Sequence, residues 1–402
     1  MPAHKKRADF IYNDITEIYG ADNLRKPEGI IENSQKKTAQ ILKCDEAYYL
    51  INGASSGLLS AVMYLGEKEI IIDRSCHESV INGLIMSGGM PRYIYPETDE
   101  IFGIPKPIET EKINKPIVYN SVTYYGKVCD TQKIRNAVGD NIVIADEAHG
   151  AHFYFSDELK KYRAREADIN ILSFHKTLPS LTQTAVMITK GKRVNSVFLE
   201  KCKNLVTSTS PSYPLLASIE YGIENGCEVY KKKTDFIYEI KNEIKRTTPL
   251  NVYDSDDPWK LLINFGRCDT DAQNAEKYLR EKHNIFVEGV FGDNILFMLS
   301  PYNTEEEFII LLNAVKASSN LKTKKQKLNN VPVIKTKTMV TPREAFIAKG
   351  EIVDIKSSVG RISKENITVF PPCVPIIAAG EILTEEAVYH LSKLKKEIEV
   401  IK

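Results

Sequence analysis

Along this chain a repeating order appears: a short, almost wholly apolar run, a polar cluster, then apolar residues at helical spacing. Residues 48–51 run into Asn52-Gly53-Ala54-Ser55-Ser56-Gly57, and 58–65 follow with the spacing of a helix. Residues 70–72 run into Asp73-Arg74-Ser75-Cys76-His77-Glu78-Ser79, again before helical spacing. Residues 116–119 end in Asn120-Ser121-Val122-Thr123-Tyr124-Tyr125-Gly126, and 142–145 end in Asp146-Glu147-Ala148-His149-Gly150-Ala151-His152. Residues 169–172 end in Ser173-Phe174-His175-Lys176-Thr177, and a further strand is predicted over 184–189. Five apolar runs without polar alternation, mostly separated by helices, predict a mainly parallel sheet covered on both faces. In such open α/β sheets the ligand binds at the carboxyl ends of the strands, so the five polar clusters converge on one crevice.

The flanks divide the chain further. Residues 1–28 are polar with isolated apolar positions and read as an N-terminal arm, and 30–42 have helical spacing. The large domain is expected over 29–232, with 191–206 helical and a hydroxyl-rich turn at 207–213. A long helical stretch, 215–246, leads into a small α/β domain over 233–320, whose clearest strands are 261–265 and 295–299. Residues 321–338 read as a linker, its basic stretch 322–327 solvated, and 339–402 form a C-terminal domain ending in a helix from about Thr384.

Composition narrows the function. With 402 residues the chain has room for two or three cored domains. Lys+Arg 54 against Asp+Glu 53 gives no field for a nucleic acid or an anionic membrane, which leaves a small molecule as the expected ligand. The N-terminus, Met1-Pro2-Ala3-His4-Lys5, lacks an apolar signal region, and no run approaches the roughly 18–20 apolar residues of a membrane span, so a cytoplasmic enzyme is expected. Seven scattered cysteines, never spaced Cys-x-x-Cys, argue for reduced thiols and against both a disulfide framework and a zinc site.

The chemistry centres on Lys176. A lysine held beside a buried sheet loses hydration, its pKa falls, and its amine becomes a nucleophile able to form a Schiff base; a solvated loop lysine satisfies the same spacing. A phosphorylated aromatic aldehyde bound there needs a phosphate cradle, a stacking partner and an anion opposite its ring nitrogen. Gly53-Ala54-Ser55-Ser56-Gly57 opens a helix and offers N–H groups, hydroxyls and the positive helix end, or is an ordinary cap. His77 can stack on a ring or be a satisfied loop histidine. Asp146 can pair with a protonated ring nitrogen or cap a helix, and Glu147 beside it points elsewhere. No Gly-x-Ser-x-Gly elbow supports a hydrolase, and Asp146, His149 and His152 lack the spacing of a metal set, so no metal is expected.

These motifs resemble the ornithine/lysine/arginine decarboxylases of the fold type I pyridoxal phosphate class, related to the aspartate aminotransferase-like enzymes. The resemblance runs in family order through residues 14–24, Asn52–Gly57, Arg74–Ser79, Asp146–His152, Ser173–Pro179, Ser208–Tyr213 and Thr341-Pro342-Arg343-Glu344-Ala345-Phe346, and covers nearly the whole chain. It implies an α/β fold with a mainly parallel seven-stranded sheet, a smaller α/β domain and a C-terminal segment. It also implies pyridoxal 5'-phosphate as cofactor, Lys176 as its Schiff-base lysine, Asp146 as partner of the ring nitrogen and His77 as the stacking residue. Ala54, Ser55, Ser56, Ser173 and His175 are expected round the phosphate, with His149 close to the cofactor. A homodimer is expected, Ser208 and Ser210 reaching the neighbouring subunit's phosphate.

The sequence departs from the family in places. A short form without the N-terminal wing domain of larger members is expected; Ala54 stands where many relatives have threonine, Val122 where they have proline, and Cys373 where the glycine of a Pro-Pro-Gly-Ile-Pro motif is usual. The expected reaction is decarboxylation of arginine, lysine or ornithine, with His175 or Lys176 protonating Cα and Glu344 receiving the distal cation or capping a helix. Another fold type I reaction on an amino acid, or a non-catalytic regulatory relative, are the alternatives; the products separate the first, and absence of a cofactor absorption band the second.

Overall fold

Helix α1 (Ile30–Leu42) begins where the apolar spacing does, and the carboxylate of Asp22 caps it by accepting from the backbone N–H groups of Gly29 (2.7 Å) and Ile31 (3.0 Å). The computed structural model describes residues 14–111, 113–230, 234–323, 333–369 and 373–402. Expectations placed on residues 1–13, on 324–332 of the linker and on 370–372 of the proline motif lie outside these.

The predicted rhythm follows. Strand β1 (Glu46–Leu50) leads into α2 (Gly53–Leu65), β2 (Glu69–Asp73) into α3 (Glu78–Ser87), and then come β3 (Met90–Ile94) and β4 (Ile117–Asn120). Helix α4 (Thr131–Val138) precedes β5 (Val143–Asp146); β6 (Ile169–Ser173) is followed by the single turn α5 (Phe174–Thr177) and β7 (Ala185–Thr189). These seven strands form one sheet in the order β1-β7-β6-β5-β4-β2-β3. β7 alone runs against its neighbours, pairing antiparallel with β1 and β6, so the sheet is mainly parallel as expected. Every residue of β5, β6 and β7 is buried, which is why these runs carry no polar alternation. Burying one such Val, Leu or Ile is worth about 1.5–3 kcal/mol. Helix α2 lies close on the sheet at Gly57, where a Cβ would come 2.7 Å from Leu50 Cδ1 and 2.9 Å from Ile171 Cγ2.

Two local expectations are corrected. β3 was not expected, because Pro91 and Arg92 interrupt its apolar pattern; it is an edge strand, where a missing N–H is tolerated. The expected helical stretch 215–246 is helical over all its described residues, α7 (Tyr213–Tyr230) and α8 (Thr234–Thr247), which follow α6 (Ser196–Leu205). The lysine cluster is not an open loop but one helical turn, closed by Leu178 N–H donating to Phe174 O (2.7 Å).

A second, antiparallel sheet has the order β10-β11-β9-β8, from β8 (Asn251–Val252), β9 (Lys260–Asn264), β10 (Gly289–Phe291) and β11 (Asn294–Met298), with α9 (Ala272–His283) and α10 (Glu305–Ser319) packed on it. The C-terminal segment holds α11 (Pro342–Ile347), β12 (Gly350–Asp354), β13 (Ile367–Val369), β14 (Val374–Ile377), α12 (Glu385–Leu391) and β15 (Glu397–Ile401). The helix expected from about Thr384 is present as α12, capped by Thr384, but it stops at Leu391 and a strand follows: Ile398 and Val400 alternate with glutamates, the period of a half-buried strand paired with β12. Among the described residues no helix is long and apolar enough to cross a membrane.

Candidate active site

A cavity of about 210 Å³ opens at the carboxyl end of the large sheet, and all five strand-end clusters reach it. Ala54 and Ser55 come from the start of α2, Ser75 and His77 from the turn after β2, Asn120 and Tyr124 from that after β4, Asp146 and His149 from that after β5, and Ser173, His175 and Lys176 from that after β6. The parallel strands end side by side, so residues more than a hundred positions apart meet.

Lys176 projects from α5 into the crevice, with Nζ 3.0 Å from His149 Nε2. The crevice walls strip its hydration and lower its pKa from the ordinary lysine value, against the opposing pull of Asp146 and Glu288. Asp146, the last residue of β5, accepts from Ala148 N–H (2.9 Å) through one oxygen, and its other oxygen makes no hydrogen bond with a described residue. Glu147 points to the opposite side, as expected: fully buried, it accepts from Ala164 N–H (2.9 Å), Asn170 Nδ2 (2.6 Å) and the Tyr154 hydroxyl (2.8 Å).

His77 Nδ1 accepts from the backbone N–H of Ser79 (3.1 Å) and lies 2.7 Å from the Ser79 hydroxyl, so its ring proton sits on Nε2. Burial lowers its pKa, keeping the ring neutral at pH 7. His175 Nδ1 lies 3.3 Å from both Ser173 Oγ and Thr184 O, and burial lowers its pKa too. At the start of α2, Gly53 has φ +71° and no side chain caps the helix, so the N–H groups of the first turn face an anion site. Ser55 lines the cavity, whereas the Ser56 hydroxyl turns back to donate to Gly53 O (2.8 Å), leaving only its backbone N–H for a ligand.

Other expected residues lie elsewhere. His152 is buried against Asp257 (3.1 Å) and stacks on Tyr230; among the described residues no group of His, Cys, Asp and Glu is placed to hold a metal. Ser208 and Ser210 sit exposed in the turn between α6 and α7, away from this chain's own crevice. Glu344 does not line the cavity. It closes a capping box at the start of α11, accepting from Thr341 N–H (2.8 Å) while Thr341 Oγ1 accepts from its own N–H (3.1 Å). Cys373 has φ +61°, a conformation that favours the glycine of the usual motif.

Two participants were missed. Tyr124 lies edge-on to His149, ring centres 5.1 Å apart, and its hydroxyl donates to Glu288 (2.6 Å). Lys260, the first residue of β9, places Nζ 3.1 Å from His149 Nδ1. Its signal was a lysine opening an otherwise apolar run, Lys260-Leu261-Leu262-Ile263, in a strand buried at every position.

A mainly parallel seven-stranded sheet with a nucleophilic-type lysine at its carboxyl edge is the fold type I architecture of the pyridoxal phosphate enzymes, and the solved lysine decarboxylase of Francisella novicida superposes with TM-score 0.81 over 94% of this chain and 73% of that one, at 19% identity. Family models for the Orn/Lys/Arg decarboxylase major domain and C-terminal domain match residues 8–256 and 322–400. The arginine decarboxylases of Halalkalibacterium halodurans and Bacillus subtilis are 31% and 30% identical, over 97% and 98% of this chain and 89% of each relative. The chain belongs to the Orn/Lys/Arg decarboxylase family, and it is an amino acid decarboxylase.

Proposed function

We propose that this enzyme removes the α-carboxylate of arginine, using pyridoxal 5'-phosphate attached to Lys176. The observation that carries this is the crevice itself: one partly desolvated lysine amine, an Asp146 carboxylate oxygen without a partner among the described residues, and a helix N-terminus without a side-chain cap share a single cavity. That donor set fits an aldehyde, a cationic ring nitrogen and a phosphate in turn. Arginine, among the three basic amino acids of the family name, is favoured by the near-full-length relatives named arginine decarboxylase.

The N–H groups of Ala54, Ser55 and Ser56, with the hydroxyls of Ser55 and Ser173, would hold the phosphate, and His175 would stand beside it. His77, neutral and fixed by Ser79, would lie against the ring, and Asp146 would keep its nitrogen protonated. When bound, the cofactor supplies an electron sink for the pair left at Cα as carbon dioxide departs. Asp146 is already placed and desolvated, so it stabilises positive charge without waiting for solvent to reorganise. Lys176 or His175 would return a proton to Cα. We propose a two-fold dimer as well: Ser208 and Ser210, exposed and outside their own crevice, suit a loop that serves the neighbouring subunit.

The test is a spectral titration of the purified chain with pyridoxal phosphate, followed by assays of carbon dioxide and amine from arginine, lysine and ornithine. A visible band lost in Lys176→Ala, with agmatine as the amine formed fastest, is expected. A band without carbon dioxide from any of the three would refute the substrate assignment; absence of a band would refute the cofactor site.

A further inference from the structure

We propose that Glu288 receives the distal cation of the substrate and so sets the preference for a basic amino acid. This rests on the substrate reading above and deepens it.

A basic amino acid brings a second positive charge to a crevice that already holds amines, and that charge needs a carboxylate of its own. Most carboxylates near the crevice are committed. Asp146 lies inside the cavity and is taken by the ring nitrogen in the reading above. Asp73 is buried and accepts from the N–H (2.8 Å) and the hydroxyl (2.7 Å) of Ser75. Glu147 points to the opposite side, Glu344 caps α11, and Glu78 accepts from the Thr368 hydroxyl (3.3 Å). Asp257 is fully buried and already faces three basic groups, His152, Lys241 and Lys260, which leave no excess of negative charge for a further cation.

Glu288 differs from all of these. It is exposed, so a ligand can reach it. Its Oε1 accepts from the Tyr124 hydroxyl (2.6 Å), and its Oε2 makes no hydrogen bond or ion pair with a described residue. Its place is fixed from two sides. The backbone N–H donates to Leu296 O (2.9 Å) just before β10, and Tyr124 lines the cavity edge-on to His149, whose Nε2 is 3.0 Å from Lys176 Nζ. The Glu288 charge acts on Lys176 and on Lys260, yet it forms an ion pair with neither. The span left between the Lys176 amine and this carboxylate is where a substrate side chain would run, its α-amino end at the lysine and its cation at Glu288. A planar guanidinium offers two parallel N–H groups, and Glu288 has Oε2 and a second lone pair on Oε1 to accept them.

The experiment titrates the purified full-length chain, loaded with pyridoxal phosphate, with agmatine and with n-butylamine in a calorimeter. The two share a primary amine on a butyl chain and differ in the guanidinium. The wild type should bind agmatine at least about threefold more tightly. Glu288→Gln keeps the side-chain size and an oxygen for the Tyr124 hydroxyl; it should shrink that preference by about three- to tenfold and raise KM for arginine by a similar factor, with kcat within about twofold. A preference that shrinks less than about threefold in the folded variant overturns the inference. So does a wild type that binds the two amines within about threefold of each other, a result that needs no variant. The titration does not depend on turnover, which keeps the two readings apart: no carbon dioxide from arginine in the wild type counts against the substrate reading, whereas an agmatine preference equal in wild type and Glu288→Gln counts against Glu288 alone.

Discussion

Replacing Arg74 by methionine should cost the fold about 3–5 kcal/mol, because it strands a buried carboxylate. Arg74 follows β2, is fully buried, and donates four hydrogen bonds into the C-terminal segment: Nε to Glu381 Oε1 (3.2 Å), Nη2 to Glu381 Oε2 (3.0 Å), Nη1 to Pro375 O (2.6 Å) and Nη2 to Ile376 O (3.1 Å). Burial alone would lower the pKa of the guanidinium, but Glu381 outweighs it and the net shift is upward, so Arg74 stays charged. Glu381 is equally buried and otherwise accepts from Ala378 N–H (2.7 Å). With Arg74 gone, that single N–H cannot compensate a charge removed from water. A well-packed double variant, Arg74→Met with Glu381→Met, removes both charges and should recover at least about 2 kcal/mol relative to the sum of the single changes. Urea unfolding followed by circular dichroism gives the three free energies. Because Ser75 and His77 follow Arg74 directly and line the crevice, the single variant should also take up pyridoxal phosphate more weakly. A cost below about 1 kcal/mol for Arg74→Met, or additivity in the double variant, would refute the reasoning.

Three further changes test separate parts. Glu344→Ala should lower stability by about 0.5–1 kcal/mol through loss of the capping box, and leave kcat/KM for arginine within about twofold; a tenfold rise in KM would return Glu344 to the substrate. Cys373→Gly relieves an L-residue held at φ +61° and should stabilise the fold by about 0.5–1 kcal/mol in the same urea assay, the loss of left-handed strain exceeding the added freedom of the unfolded chain. Lys241 is buried, donates to Lys260 O (2.8 Å), and is held by burial at about 8, below the ordinary lysine value of 10.5. Between those two pH values the unfolded chain binds the extra proton and the native fold does not, so stability rises with pH across the window. The stability of the wild type relative to Lys241→Met should therefore climb by up to about 3 kcal/mol from pH 7.5 to pH 10.5, and a flat difference would show that the amine is not desolvated.

What the sequence made legible follows from which forces are local. A strand buried on both faces is apolar except where a buried partner satisfies a polar group, as Glu147 does Asn170, so β5 and β6 announced themselves, and with them the positions of Asp146 and Ser173 at their ends. Which of two adjacent carboxylates faces the crevice also followed, because successive residues at a strand end point to opposite sides; Glu147 is spent on Asn170, Ala164 and Tyr154. Strand direction was not legible. The pattern of β7 is as apolar as that of a parallel strand, and its reversal comes from the short α5 turn that sends the chain straight back. Glu344 carried its own answer in Thr341-Pro342-Arg343-Glu344, the signature of a capping box, which competes with any role at a distance.

Lys260 was hidden for a different reason. Its partner is a histidine 111 positions away in the turn after β5, and nothing in a run of apolar residues marks a lysine as reaching out of it. The large sheet supplies the lysine, the aspartate and the helix N-terminus, all readable as strand-end clusters; Lys260, which reaches His149 beside that lysine, enters from β9. A crevice assembled from one sheet and reached from a second also explains the tight path at Gly126: the loop after β4 both lines the cavity, through Tyr124, and lets the second sheet's amine pass. Any side chain at position 126 would press on Lys260 Cγ, so the two sheets communicate through a residue that itself has no chemistry.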